Sequence, residues 1–156
     1  MTTFEDVTAG NDLPPFARTV TRQDVKAYAE AGGDQNPLHQ DDEFARSVGF
    51  DGIIAHGMFT MGHMAAAVIE WAGPGAWVSR IGAQFRSPVL MGEVIVAGGR
   101  VRAIDPDTRT VTLDLWVSAE RDGSTEWPVK RGEADVRFPD QAQNHPIRDE
   151  PDPTAP

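Results

Sequence analysis

The sequence predicts an α+β domain in which one antiparallel sheet packs against one long apolar helix. Three observations carry this. Residues 53–69 run for 17 positions without Asp, Glu, Lys or Arg. After Gly73-Pro74-Gly75 the pattern changes to strand-like stretches rich in Val, Ile, Thr and Trp, at 76–85, 93–104, 110–121 and 125–138. Between them, Asp105-Pro106-Asp107 and Arg121-Asp122-Gly123-Ser124 supply turn chemistry, as in an antiparallel meander.

The earlier elements follow in order. Phe16-Ala17-Arg18-Thr19-Val20 reads as a short strand. Thr21, three residues before Asp24, has the spacing of a capping box and starts a helix running to about Ala31, which Gly32-Gly33 ends. Asn36-Pro37 disfavours helix, so 32–40 is a loop. Asp41 then caps a short helix ending near Ser47, with Gly49 just beyond. The 53–69 stretch lies at the lower limit of what crosses a bilayer. An apolar helix of that length is expected to be buried in a globular fold. Its small residues Gly62, Ala65, Ala66 and Ala67 suit close packing on a sheet. Pro88 and Pro128 mark bends or edges. The layout is β-α-α-α-β-β-β-β, with no internal repeat.

A chain of 156 residues with 40% hydrophobic and 24% charged residues fits one domain, expected over 1–139. Residues 140–156 hold 4 of the 12 prolines and only Ala142, Ile147 and Ala155 as apolar groups, and are expected to form a disordered acidic tail. The net charge of −10 divides as −7 over 1–79, zero over 80–139 and −3 over 140–156. That balance argues against nucleic acid as a partner, because phosphate backbones need clustered cations. With no cysteine, disulfides, thiolate nucleophiles and Cys-ligated metals are excluded. The opening Met1-Thr2-Thr3-Phe4-Glu5-Asp6 lacks the layout of a signal peptide. The expectation is a cytoplasmic protein that does not enter membranes.

Chemistry concentrates in Gly33-Asp34-Gln35-Asn36-Pro37-Leu38-His39-Gln40-Asp41. A carboxylate and an imidazole stand five residues apart in a loop that Asn36 and Pro37 bend, and both groups can transfer protons to one water or hydroxyl. The same residues also fit a turn cap and a packed loop imidazole, and residue chemistry by itself does not separate the two. In Ile54-Ala55-His56-Gly57-Met58, a glycine in the first helical turn lets a ligand approach free backbone N–H groups that stabilise negative charge on a carbonyl oxygen. A tight helix start explains Gly57 equally. His56 precedes these donors and reads as structural. Met58, Phe59, Met61 and Trp71 share the apolar helix, where packing accounts for them.

The string Tyr28-Ala29-Glu30-Ala31-Gly32-Gly33-Asp34-Gln35-Asn36-Pro37-Leu38-His39-Gln40-Asp41, followed by Ala55-His56-Gly57-Met58, resembles the MaoC-like dehydratase family. That family includes (R)-specific enoyl-CoA hydratases and the (3R)-hydroxyacyl-ACP dehydratase B subunit of mycobacterial type. Phe85-Arg86-Ser87-Pro88-Val89-Leu90-Met91-Gly92-Glu93 is similar to a later family segment, and the likeness spans roughly 4–138. It implies a single hot-dog domain, in which a curved antiparallel sheet wraps a long central helix. It also implies a dimer with an acyl-thioester tunnel near the subunit interface. By the same resemblance Asp34 and His39 form the catalytic dyad and the Gly57 amide binds the thioester oxygen. Asn36, Pro37 and His56 organise the site. Met58, Phe59 and Met61 are candidate tunnel residues and Arg86 a candidate phosphate contact. Two positions depart from the pattern. Gly32 stands where many relatives have Ser or Thr, and Ala65 where some (R)-hydratases have a serine supporting the dyad.

The expected reaction is reversible hydration of a trans-2-enoyl thioester to the (3R)-hydroxyacyl thioester, on CoA or an acyl-carrier protein, with no metal or redox cofactor. The spacing does not assign the two protons; Asp34 is placed on the water or hydroxyl and His39 on the α-carbon. Thioester hydrolysis on the same fold is the first alternative. A non-catalytic acyl-binding subunit of a heteromeric dehydratase is the second, although such subunits lack the dyad and this chain has both members. A homodimer is expected, with a heterodimer of related subunits as the variant.

Overall fold

A computed structural model describes residues 2–139, so the expected acidic tail at 140–156 lies outside the described residues. Five strands form one antiparallel sheet: β1 (Phe16–Thr19), β2 (Trp77–Phe85), β3 (Val94–Asp105), β4 (Thr110–Arg121) and β5 (Ser124–Arg137). Three helices accompany them: α1 (Arg22–Gly32), α2 (Asp42–Ser47) and α3 (Gly57–Ala72). A 3-10 turn at Phe4–Asp6 precedes them, and another at Pro37–His39 replaces the middle of the expected loop.

Local chemistry explains the boundaries. Thr21 accepts from the Asp24 N–H while the Asp24 carboxylate accepts from the Thr21 N–H at 3.1 Å, so the expected capping box starts α1. Gly33, at φ +73°, ends it in the left-handed conformation that glycine adopts without strain. Asp41 caps α2 through the N–H groups of Glu43 and Phe44. Asp122 and Gly123 both have positive φ, which makes the β4–β5 connection a tight hairpin with Arg121 opposite Ser124.

The strand order is β1-β3-β4-β5-β2. The expected meander covers β3-β4-β5, whereas β2 crosses to the far edge and pairs with β5. In β4, Val111, Leu113, Leu115 and Val117 alternate into the core, where α3 lays Phe59, Met64, Ala67 and Val68 against them. This curled sheet holding one long helix is the hot-dog arrangement. The helix begins at Gly57, later than the apolar run, because Ile54 and Ala55 are extended: Ile54 bridges Leu90, and the Ala55 N–H donates to the Val89 carbonyl at 2.9 Å. The expected complete burial of this helix is only half met. Its sheet covers one side, leaving Met58 54% and Ile69 60% exposed on the other. Among the described residues no helix is long and apolar enough to cross a membrane.

His63 ties α3 to β1, its buried Nε2–H donating to the Phe16 carbonyl at 2.9 Å. Burial pushes this imidazole below its ordinary pKa, because the charged form would lose its hydration. The fold therefore favours neutral His63. Its contribution to stability is complete above the unfolded value near 6.5 and is lost as pH falls from there towards the folded value. Denaturant titrations between pH 8 and 5 are expected to show a steeper acid-side loss for wild type than for His63→Gln; parallel curves would remove His63 from the account.

Candidate active site

The loop between α1 and α2 is stitched by its own side chains. The Asp34 carboxylate accepts from the Asn36 N–H at 3.2 Å, and the Asn36 side chain accepts from the Leu38 N–H at 2.9 Å. Asn36 thereby caps the 3-10 turn, and Pro37 supplies its first residue, where a missing N–H costs nothing. Gln35 reaches back to the Ala29 carbonyl at 2.8 Å and accepts from Gln40 at 3.0 Å. A rigid one-turn spacer thus separates Asp34 from His39.

His39 Nδ1 lies 2.8 Å from the Ile54 carbonyl, an acceptor, so Nδ1 carries the proton. That leaves Nε2 free to take or give one. His56, 2% exposed, stacks on His39 with ring centroids 3.7 Å apart. Its Nε2 donates to the Asp34 backbone carbonyl at 3.2 Å and lies 4.0 Å from the Asp34 carboxylate. The buried His56 Nδ1 has no hydrogen-bond partner among the described residues and sits at the positive end of α3. Asp34 itself is 54% exposed along its side chain, open to a ligand.

Asp34, His39 and His56 converge until their ligating atoms all lie within 4.8 Å of one another. A divalent ion is sterically admissible there. However, the stacked imidazoles are only 27° from parallel, so their in-plane lone pairs do not converge. One nitrogen of each ring is also committed to a carbonyl. The cluster suits proton transfer better than coordination.

Gly57 is the first residue of α3, so its N–H lacks an intrahelical acceptor. A Cβ on Gly57 would lie 3.3 Å from the Phe85 ring, so this aromatic packs against the glycine. Of the candidate tunnel residues, Phe59 is buried edge-on to Tyr28, Met61 is half-buried and Met58 is exposed. Ala65 is half-buried on α3, and Gly32 lies beside the Tyr28 ring. Arg86 is exposed, its guanidinium donating to Gln84 at 2.8 Å. Sequence reasoning gave no role to Tyr28, whose ring is 5.1 Å from that of His56, or to Phe85. Both open the segments quoted for the resemblance, and that position was the only signal.

Fold and site together define a hot-dog protein with an acid–base cluster at the start of its central helix. Residues 8–119 match the family model for the MaoC like domain, and the chain belongs to that family. It is similar to a 3-hydroxybutyryl-CoA dehydratase of Methylorubrum extorquens, 30% identical over 145 residues that cover 92% of this chain and 88% of that one. It is also similar to an (R)-specific enoyl-CoA hydratase of Rhodospirillum rubrum, 31% identical over 70% of this chain and 76% of that one. Among solved structures, an unliganded R-hydratase of Pseudomonas aeruginosa superposes with a TM-score of 0.79 at 25% identity, covering 89% of this chain and 86% of that one. The (R)-hydratase of A. caviae gives 0.78 at 26%, over 86% and 99%.

Proposed function

We propose that the chain is a hydro-lyase that adds water reversibly to trans-2-enoyl thioesters, giving (3R)-3-hydroxyacyl thioesters. The observation that carries this reading is the convergence of Asp34 and the free Nε2 of His39 beside the first turn of α3. Relatives named as hydratases and dehydratases support the reaction class.

In the dehydration direction the dyad holds one proton. The Gly57 N–H receives the negative charge that grows on the thioester oxygen as the α-proton leaves, which makes that proton removable. His39 Nε2 takes it, Asp34 gives its proton to the β-hydroxyl, and water departs with the C–O bond pair as the double bond forms. Hydration reverses each transfer. His56 keeps His39 and the Asp34 loop in place, through stacking and one hydrogen bond. Met58 and Met61 line the acyl path. Thioester hydrolysis would instead need a water aimed at the carbonyl carbon.

The unpartnered side of α3 and the free edge of β2, with Met58, Ile69 and Trp77 exposed, support a homodimer in which a second copy covers this face. Loss of enoyl absorbance from crotonyl-CoA and a longer trans-2-enoyl-CoA, with chiral analysis of the product, tests the reaction. A (3R) alcohol is the expected product. Release of free thiol without alcohol would replace the reading with hydrolysis.

A further inference from the structure

Asp41 and Asp42 stand side by side at the start of α2, with their carboxylates turned to different partners. Asp41 caps the helix itself. Asp42, the first helical residue, reaches outside it. Its carboxylate accepts from the Ile53 N–H at 3.0 Å and pairs with the Arg22 guanidinium at 2.8 Å. Arg22 opens α1, and Ile53 enters the extended stretch that leads into α3. One carboxylate therefore joins α1, α2 and the approach to α3. The Ile53 bond foremost, with Arg22 adding to it, holds the Asp42 carboxyl below its ordinary pKa.

Each of the joined pieces carries a part of the candidate site. Helix α1 ends at Gly32, two residues before Asp34. The 3-10 turn before α2 carries His39, three residues before Asp42. The residue after Ile53 supplies the carbonyl that lies 2.8 Å from His39 Nδ1. Downstream, this peptide is tied by the Ala55 N–H to the Val89 carbonyl at 2.9 Å. Upstream, the Ile54 N–H donates to the Leu38 carbonyl at 3.3 Å, a long bond for an amide. The Asp42 bond one residue earlier is shorter and charge-assisted, and it is the firmer upstream tie. Nδ1 is held as the protonated nitrogen by the Ile54 carbonyl opposite it, and Nε2 is a base only while Nδ1 carries that proton. A displaced Ile54 carbonyl would let the imidazole change tautomer, putting the proton on the nitrogen that has to accept one.

The geometry points to Asp42 as a positioning residue for the reaction: by fixing Ile53 to α1 and α2, it keeps the Ile54 carbonyl on His39 and the other nitrogen of that ring free. The proposal rests on the role given to His39 above, and adds a residue that acts through the backbone. Gly52 permits the contact, because a Cβ there would lie 2.9 Å from the Asp42 Oδ1.

The test is nitrogen NMR of the imidazole tautomers in wild type, Asp42→Ala, Asp42→Asn and Gly52→Ala, with kcat and KM for crotonyl-CoA hydration measured alongside. His39→Ala identifies the His39 signals among those of the four histidines. Wild type should show His39 protonated on Nδ1. Asp42→Ala removes the acceptor of the Ile53 N–H and leaves the Asp41 cap. Its His39 signals should move towards the Nε2–H form, and kcat should fall about tenfold with KM unchanged. Asp42→Asn keeps an oxygen for the Ile53 N–H, and should restore the wild-type tautomer and most of kcat. Gly52→Ala crowds the carboxylate away from Ile53 without removing it, and should reproduce both changes; it takes the place of Asp42→Ala if that variant does not fold. A wild-type tautomer in Asp42→Ala would overturn the proposal, as would an unaltered kcat where the tautomer has changed. So would an asparagine variant as impaired as the alanine one. If wild type hydrates no enoyl thioester, the catalytic reading fails by itself. The tautomers need no substrate, and they then decide separately whether Asp42 sets His39.

Discussion

Asp34→Asn is expected to lower kcat for enoyl-thioester hydration by about a thousandfold while leaving the protein folded. An asparagine keeps the size of the side chain and an oxygen for the Asn36 N–H, so the 3-10 turn and the position of His39 survive. It cannot give or take a proton as a general acid or base towards the water or hydroxyl. With the Asp34 side chain more than half exposed, melting should shift by a few degrees at most. His39→Ala should fall as far for a different reason, since it removes the Nε2 lone pair together with the bond to the Ile54 carbonyl and the stack on His56. The informative variant is the double one. Two residues whose separate proton transfers belong to one elimination step act as a unit, so removing both should cost about as much as removing either. Losses that multiply would mean the two act on separate steps. Near wild-type rates in Asp34→Asn would exclude Asp34 from catalysis.

The largest expected effect on stability is at Met64. Its side chain is fully buried on α3, facing the middle of the sheet. A Cβ on Gly132 would stand 3.0 Å from the Met64 sulfur, so helix and strand β5 meet there at close quarters. Met64→Ala is expected to cost about 3 kcal/mol, because it removes apolar contacts and leaves a cavity that a sheet hydrogen-bonded on both sides cannot collapse into. In urea the midpoint should fall with an unchanged slope. Gly132→Ala is the reciprocal probe. Its methyl group meets the Met64 sulfur and also the Gly82 carbonyl at 3.2 Å. In the Met64→Ala background part of that crowding is relieved, so the two costs should sum to more than the cost of the double variant. Strict additivity would show that the two sites do not touch in solution.

These two expectations differ in how far the sequence supports them. The setting of Asp34 was legible because its surroundings are local. Asn36 capping, Pro37 at the head of a turn and Gly33 at positive φ involve neighbours within a few residues, and local preferences of that kind are written in the residue types. The same holds for the Thr21–Asp24 capping box, the Asp41 cap and the Asp122-Gly123 hairpin. The contact of Met64 with Gly132 joins residues nearly half the chain apart, and nothing near either residue announces it.

The alternation of buried and exposed positions along β3, β4 and β5 also followed from the sequence, as did the turns that join them. Turn chemistry is silent about β2, which leaves α3 through Gly73 and Gly75 and travels to the edge beside β5. That placement brings Phe85 onto Gly57, and so gives the Phe85–Arg86 segment its place beside the site.

The sequence by itself determined the order and type of the elements, the loop that presents Asp34 and His39, and the family to which they point. Only the tertiary structure decided the stacking of His39 on His56, the tautomer imposed by the Ile54 carbonyl and the exposed side of α3. The physical reason is range. Capping, turn formation and alternation depend on residues a few positions apart, whereas each of those later features depends on which distant backbone arrives alongside, and that is settled when the sheet closes around the helix.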